Sequence, residues 1–137
     1  MRLDETTCRD RMAASRVARL ATASMDGRPH VVPITFAVRG DVIVTAVDQK
    51  PKSTTRLRRL RNVVENPRVS VLADHYSDDW ITLWWVRADG RAEIVEDATA
   101  RRVVVADLAA KYEQYRDDPP AGPVMLIAVE SWTGWST

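Results

Sequence analysis

The chain has 137 residues, a net charge of only +1, a pI of about 7.9 and a single cysteine, Cys8. This length suits one domain over residues 1–137, which can bury about two-thirds of its unfolded surface without disulfides or a structural metal. An intrachain disulfide is excluded, and the lack of Cys/His spacing, of a signal-peptide core and of a long apolar stretch favours a soluble cytoplasmic protein without zinc or a membrane span.

The first part of the sequence predicts a helix and three strands. Residues 4–15 begin with acids and hold apolar positions inside, which indicates a short covering helix. Residues 17–23 and 30–38 are typical of strands, and the Asp-Gly turn at residues 26–27 indicates an antiparallel hairpin. Residues 42–46 add a further strand, so we expect a three-stranded meander.

Three single residues in this part carry expectations of their own. Pro33 lies inside the second predicted strand and cannot donate to a ladder, so it should lie at an edge or a bulge. His30 has no Ser or Cys partner in a triad-like arrangement, and we expect it to be a strand residue near the hairpin. Cys8 is expected to be a small buried residue rather than a nucleophile.

Positive charge is concentrated in residues 50–68, which hold seven cations and one acid. Leu57, Leu60 and Val64 recur at i, i+3 and i+7, which predicts a helix that ends before Pro67. An arginine-rich helix can be a solvated surface whose alkyl stems cover an apolar stripe. It can also bind nucleic acid, but the overall pI is lower than a nucleic-acid-binding domain usually shows. We therefore expect no nucleic-acid partner.

The N-terminal end of this helix is unusual in its charge. Ser53 or Thr54 is the expected N-cap, and the helix dipole favours acids in the following turn. The sequence places Lys50, Lys52 and Arg56 there instead. A capping hydroxyl surrounded by cations at a helix N-terminus favours a phosphate or carboxylate ligand. The sequence therefore predicts an anion site at this end.

The second part of the sequence predicts more strands and one long helix. The predicted elements are, in order, a strand at 68–73, a polar loop at 74–80, strands at 81–88 and 91–95 or one long strand bent at 89–90, a helix at 97–116 capped by Asp97, a strand at 124–130 and a tryptophan-containing tail. Six or seven strands with few helices do not alternate as βαβ units. We therefore expect a mainly β fold, an antiparallel barrel with flanking helices.

Two further groups of residues are candidate site residues. Trp84 and Trp85 are adjacent and should face opposite sides of a strand, so one fills the barrel and the other, for which we name Trp85, faces a groove or an interface. Three acids lack the glycine spacing of a calcium loop, and we expect a solvated turn with no metal at Asp74, Asp78 and Asp79.

Three segments carry a family resemblance by their order and spacing. They are RVARLATASMDGRPHVVPITFAV, then K-x-K-S followed by RLRRLRNVVENPRVSVLAD, and then LWWVRADGRAEIVED. Together they resemble the small split β-barrel flavin and deazaflavin oxidoreductases related to pyridoxamine 5′-phosphate oxidase, and in particular the actinobacterial branch that uses coenzyme F420. The resemblance covers nearly the whole chain.

This resemblance implies a homodimer with two cofactor sites in grooves at the subunit interface. It implies that three residues run along the tricyclic ring, namely Pro33, Ile34 and Thr35. It implies that the basic stretch holds the phosphate or the tail through Lys52, Ser53 and Arg56, with Lys50 in the same positive field. It also implies that the C-terminal tail reaches the partner's site through Trp132 or Trp135.

The implied activity is an F420-dependent transfer of hydride between the deazaflavin and a small planar or unsaturated substrate. F420 carries a phosphodiester and an acidic tail, so the strongly basic stretch fits it better than FMN. The cofactor supplies the chemistry in such enzymes, and the weak candidate for a proton donor is Tyr76, with solvent as the alternative. An FMN-dependent enzyme, or a non-catalytic binder of F420, FMN or a tetrapyrrole, remains open.

Overall fold

The computed structural model describes residues 1–47 and 54–137, without the side chains of residues 54–57. The elements in chain order are α1 (Glu5–Ala14), β1 (Ala18–Ala23), β2 (Pro29–Ile34), β3 (Ala37–Arg39), β4 (Val42–Ala46), α2 (Thr54–Glu65), β5 (Arg68–His75), a short 3₁₀ helix (Trp80–Thr82), β6 (Trp84–Val95), α3 (Ala98–Lys111), α4 (Gln114–Asp117) and β7 (Val124–Ser136). The strands form one antiparallel sheet in the order β2-β1-β5-β6-β7-β4-β3. The predicted mainly β architecture of six to seven strands with flanking helices is confirmed.

The β1–β2 hairpin forms where the sequence predicts it. Gly27 adopts a φ of 84°, a left-handed conformation that glycine reaches without a steric cost. Strands β1 and β2 pair from Ala18 opposite Ile34 to Ala23 opposite Pro29. Strand β2 lies at one end of the sheet, so Pro33 is on an edge strand, as predicted.

The predicted strand 30–38 is wrong, because the chain leaves β2 at Thr35 and enters β3 at Ala37. Phe36 turns into the core with no exposed surface, and its backbone N–H donates to the Tyr112 hydroxyl at 3.1 Å instead of to a ladder carbonyl. Strands β2 and β3 consequently lie at opposite ends of the sheet. The predicted three-stranded meander is therefore also wrong, since β4 pairs with β3 and β7.

Strands β6 and β7 are the longest pair and run through the centre of the sheet. Strand β6 is continuous, with a register shift between Asp89 and Gly90, which confirms the prediction of one long bent strand. A Cβ atom at Gly90 would lie 2.2 Å from the Ala128 carbonyl oxygen, so only glycine fits there. The predicted C-terminal tail is wrong, because residues up to Ser136 belong to β7.

The core has two parts, which lie on opposite faces of β4 and β7, since Ile43 and Met125 belong to one part and the adjacent Val44 and Val124 to the other. Helix α1, capped by the Asp4 carboxylate that accepts from the Thr7 N–H at 2.8 Å, buries Cys8 and Met12 against the sheet. Cys8 is a small buried residue, as predicted, and a Cβ atom at Gly134 would lie only 2.7 Å from its Sγ. The second part packs α3 against β4 and β7.

The helices deviate from prediction at two places. In α2, Leu60 and Val63 pack on the core, but Val64 is 73% exposed, so its predicted place on the buried stripe is wrong. The Asn62 amide fixes the rotation of α2 by donating to the Thr22 hydroxyl at 3.1 Å. The predicted helix 97–116 is divided into α3 and α4, although the Asp97 cap is confirmed. No helix within the described residues is long and apolar enough to cross a membrane.

Candidate functional site

A groove of about 340 Å³ lies where β2 ends, beside α2 and α4. Its lining residues are Val17, Pro33, Ile34, Thr35, Ala46, Arg59 and Tyr115. The structure thus brings the three residues predicted along the ring, Pro33, Ile34 and Thr35, together with a cation of the basic helix. We call this cavity the β2 groove.

Two hydrogen bonds at Thr35 fix the position of the chain where it leaves β2. The Thr35 and Tyr115 hydroxyl oxygens lie 2.7 Å apart. The Thr35 carbonyl accepts from the buried Thr45 hydroxyl, also at 2.7 Å. Because both the side chain and the backbone of Thr35 are bonded, this part of the β2 groove is formed before any ligand arrives.

His30 lies beside the β2 groove, on the inner face of β2 next to α2. It is directly opposite Thr22 in the ladder, so the two side chains share a face. Its Nδ1 is buried and has no hydrogen-bond partner among the described residues. Burial lowers the pKa of His30, and the nearby Arg59 and Arg58 lower it further. A neutral imidazole, as predicted a strand residue, therefore lies against the basic helix at pH 7.

The cavity continues past Thr35 into a second compartment of about 400 Å³. It is lined by Arg16, Val17, Thr35, Tyr112, Gln114 and Tyr115. The rings of Tyr112 and Tyr115 meet edge to face with their centroids 5.7 Å apart. Neither tyrosine was predicted as a site residue, although their i, i+3 spacing at the end of a helix pattern places two aromatic rings on one side. We call this cavity the tyrosine compartment.

Lys111 lies beside the tyrosine compartment. Its Nζ donates to the Ser15 carbonyl at 2.6 Å and lies 3.8 Å from the centroid of the Phe36 ring. Desolvation lowers the pKa of Lys111 to about 8, and the neighbouring Arg16 guanidinium adds to the effect. The amine therefore loses its proton near pH 8 and is still mostly charged at pH 7.

The outer face of the sheet carries a separate cavity of about 520 Å³. It is lined by Arg19, Ala21, Val31, Ser70, Leu72, Asp74, Tyr76, Trp85 and Arg87. Trp85 faces this outer cavity while Trp84 packs on the core, so the prediction that they face opposite sides is confirmed. Tyr76 is 61% exposed here, away from the residues that line the β2 groove.

The two C-terminal tryptophans occupy different environments. Trp132 is 8% exposed and donates from Nε1 to the Asp41 carboxylate at 2.9 Å, so in this chain it is a core residue. The Trp132 indole and the Arg9 guanidinium hold the pKa of Asp41 below its usual value. Trp135 lies directly opposite Trp85 and is 36% exposed, which places it on the outer face.

The predicted anion site falls mainly outside the described part of the chain. Lys50, Lys52 and Ser53 lie outside the described residues, and Arg56 is described only as a backbone position within α2. Among the side chains of the basic stretch that the structure describes, Arg59, one helical turn after Arg56, lines the β2 groove. Within the described residues no group of His, Cys, Asp and Glu could hold a metal ion.

Comparisons with known proteins match this fold along the whole chain. A family described as pyridoxamine 5′-phosphate oxidase matches residues 5–136. A solved FAD-binding protein from Mesorhizobium loti is similar with a TM-score of 0.77 and 25% identity, over 98% of this chain and 95% of that chain. The FAD binding protein from Mycobacterium smegmatis is similar with a TM-score of 0.63 and 23% identity, over 98% and 96%. These likenesses confirm the predicted split-barrel fold.

A curated relative from Streptomyces rimosus matches part of the chain. It is named 5a,11a-dehydrotetracycline/5a,11a-dehydrooxytetracycline reductase and is 36% identical over 66 residues. The match covers 46% of this chain and 43% of the relative, so it spans less than half of the relative's length.

Proposed function

Because the chain belongs to the pyridoxamine 5′-phosphate oxidase family, we propose that it is an oxidoreductase that binds coenzyme F420 in the β2 groove. In this proposal it transfers a hydride between the deazaflavin and a small planar or unsaturated substrate. The observation that carries the proposal is that Pro33, Ile34 and Thr35 line one cavity with Arg59.

The residues of the β2 groove fit a flavin-type cofactor. A phosphate needs a cation and hydrogen-bond donors, and the Arg59 guanidinium supplies both. A tricyclic ring needs an apolar edge, which Pro33 and Ile34 supply. A volume of about 340 Å³ lies within the range typical of small-molecule sites. We propose that Lys50, Lys52, Ser53 and Arg56 continue this site toward the phosphate and the acidic tail.

The chain's own residues bind, orient and exclude water. When bound, the deazaflavin supplies hydride chemistry. Thr35 is fixed at both its hydroxyl and its carbonyl, so β2 presents a rigid edge. The lowered pKa keeps His30 neutral at pH 7, so it adds no charge to the field that Arg58 and Arg59 direct at an anion. Positioning and electrostatics are therefore the protein's contribution.

We propose that the outer face is covered by a second copy of this chain. Val31, Leu72 and Trp85 give the outer cavity apolar side chains, and Val31 is 63% exposed. Large exposed aromatic and aliphatic side chains mark interfaces. In a homodimer the partner would cover Trp85 and Trp135. Tyr76, which lines the same outer cavity, is the weak candidate for a proton donor, with solvent as the alternative.

Three observations bear on the identity of cofactor and substrate. The Streptomyces relative is named a reductase of 5a,11a-dehydro compounds, which favours a conjugated carbon–carbon double bond as the group reduced. The basic stretch from residue 50 to 68 favours F420 with its acidic tail. The similar structures named for FAD binding favour a flavin as the second candidate, with the same groove residues.

The proposal is tested by Arg59→Gln, with Arg61→Gln as the matched control on an exposed position of the same helix. Losing a charge-assisted hydrogen bond costs about 1.5–3 kcal/mol, or about tenfold to a hundredfold in affinity. We expect Arg59→Gln to weaken F420 binding by that factor in a fluorescence titration, while Arg61→Gln binds as the wild type does. Equal F420 affinities for all three proteins would show that the β2 groove is not part of the cofactor site.

A further inference from the structure

We infer that the tyrosine compartment is the substrate site, that it takes planar conjugated carbonyl compounds, and that Tyr115 determines this specificity by donating to the carbonyl oxygen. The inference rests on the proposed function, because the compartment gains its role from the cofactor groove beside it. The two cavities share Val17, Thr35 and Tyr115. A ligand in one compartment is therefore in contact with the wall of the other.

The hydroxyl groups of the compartment differ in whether a hydrogen remains available for donation to a ligand. Tyr112 donates to the Arg16 carbonyl at 2.8 Å and accepts from the Phe36 N–H, so its hydrogen is used within the fold. Tyr115 and Thr35 bond to each other, and that bond consumes one of their two hydroxyl hydrogens. One hydroxyl hydrogen of the pair therefore remains for a ligand that offers an acceptor oxygen.

The walls select a flat molecule. Tyr112 and Tyr115 present two rings at 76° to each other, and Val17 adds an apolar side. Aromatic walls favour conjugated ligands because offset and edge contacts with π-systems are attractive. Arg16 lines the same compartment, and its guanidinium lies 4.7 Å from the Tyr112 ring centroid. A cation beside aromatic walls suits an oxygen that gains negative charge.

The compartment is built before a ligand binds. The end of α3 is tied to the segment before β1 by three bonds: Arg16 Nη1 to the Lys111 carbonyl at 3.1 Å, Lys111 Nζ to the Ser15 carbonyl at 2.6 Å, and the Tyr112 hydroxyl to the Arg16 carbonyl at 2.8 Å. Helix α4 is tied back by Arg116, which donates to the Ala109 and Ala110 carbonyls. A fixed wall loses little entropy when it binds a ligand.

This arrangement matches the reduction of a conjugated carbonyl compound. A reduced deazaflavin bound in the β2 groove would supply a hydride to the carbon β to the carbonyl, and the electron pair of the double bond would move toward the carbonyl oxygen. A proton from solvent then adds at the α carbon, which completes the addition of two hydrogens across the double bond. A hydroxyl donor and a nearby cation stabilise the oxygen while it carries negative charge. Tyr115 and Arg16 are placed to do this.

The test measures ligand binding directly, with menadione as a planar quinone and methylnaphthalene as its hydrocarbon counterpart. Titrations use wild type, Tyr115→Phe and Tyr112→Phe, each with and without F420. We expect Tyr115→Phe to weaken menadione binding about tenfold, the loss of one hydrogen bond to an oxygen acceptor. Its affinities for methylnaphthalene and F420 should stay unchanged. Tyr112→Phe is the control for a structural hydroxyl and should lower the melting temperature instead.

Unchanged menadione affinity in a folded Tyr115→Phe, or an equal loss for menadione and methylnaphthalene, would overturn the inference. If Tyr115→Phe does not fold, the wild-type preference for menadione over methylnaphthalene decides, and equal affinities overturn the inference. Failure of wild type to bind F420 or a flavin would refute the proposed function alone, since the menadione titration without cofactor is a separate result.

Discussion

The pH dependence of unfolding tests how Lys111 is packed between the tyrosine compartment and the core. Its pKa is lowered from the ordinary 10.5 to about 8, mainly by desolvation. A lowered folded-state pKa means that the unfolded chain binds more protons between these two values. Stability from this residue therefore rises with pH across that window, and below pH 8 the buried ammonium charge is a cost to the fold.

The size of the effect follows from the two pKa values. Each pKa unit corresponds to about 1.4 kcal/mol, so the full difference would be about 3 kcal/mol. Lys111 retains partial solvent contact, and screening reduces the expected rise to about 1–2 kcal/mol. Lys111→Met keeps the length of the side chain and removes the titrating group, so its stability should lack this rise.

The assay is urea unfolding at several pH values from about 7.5 to about 9.5, a window that follows from the linkage. Wild type should gain stability relative to Lys111→Met as the pH increases. Lys111→Arg is the control, because it stays charged throughout and should run parallel to Lys111→Met. Parallel curves for wild type and Lys111→Met would show that Lys111 is solvated, and would refute the packing of its amine on Phe36.

Two further substitutions test the sheet and the Asp41 contacts. Gly90→Ala should cost about 2–4 kcal/mol in urea unfolding because the new Cβ meets the Ala128 carbonyl at 2.2 Å, while Gly40→Ala, which meets no atom within 4 Å, should cost only about 1 kcal/mol for its positive φ. Equal losses would contradict the register shift. Asp41→Asn should lower the melting temperature at neutral pH, and the difference from wild type should shrink as the pH falls below the ordinary carboxyl pKa, because the lowered pKa of Asp41 contributes stability only above it. A difference that persists in acid would assign the loss to packing.

Local signals in the sequence were sufficient for the hairpin, the Asp97 cap and the long bent strand. The Asp-Gly turn, the Asp97 cap and the glycine at position 90 each act through backbone geometry that neighbouring residues determine. The break at Phe36 could not be predicted in this way, because residues 30–38 are uniformly compatible with a strand. Its cause is the Tyr112 hydroxyl, a partner 76 residues away that takes the Phe36 N–H.

Only the β2 residues of the candidate site were predictable from the sequence. Pro33, Ile34 and Thr35 follow from the family resemblance, and the structure places them together in the β2 groove. Tyr112 and Tyr115 could not be assigned from sequence, since an aromatic pair at helical spacing is equally typical of a core. Their role depends on α3 ending at Lys111, and that ending is set by tertiary bonds to Ser15 and Arg16.

The N-terminal end of α2 was expected to hold the cofactor phosphate through Lys52, Ser53 and Arg56, and that expectation stays a prediction. Arg59 was not named as a binding residue, although it belongs to the same basic stretch. Helical spacing offered the signal, because Arg59 follows Arg56 by three positions and so lies on the same side of the helix.

The measurement closest to the central claim is a titration of the purified protein with F420 and, separately, with FMN, followed by absorbance and fluorescence. We predict saturable binding of F420 that is tighter than binding of FMN, and weaker F420 binding in Arg59→Gln than in Arg61→Gln. Saturable binding of FMN alone would replace the deazaflavin with a flavin. Binding of neither cofactor by the folded wild-type protein would contradict the claim that the β2 groove is a cofactor site.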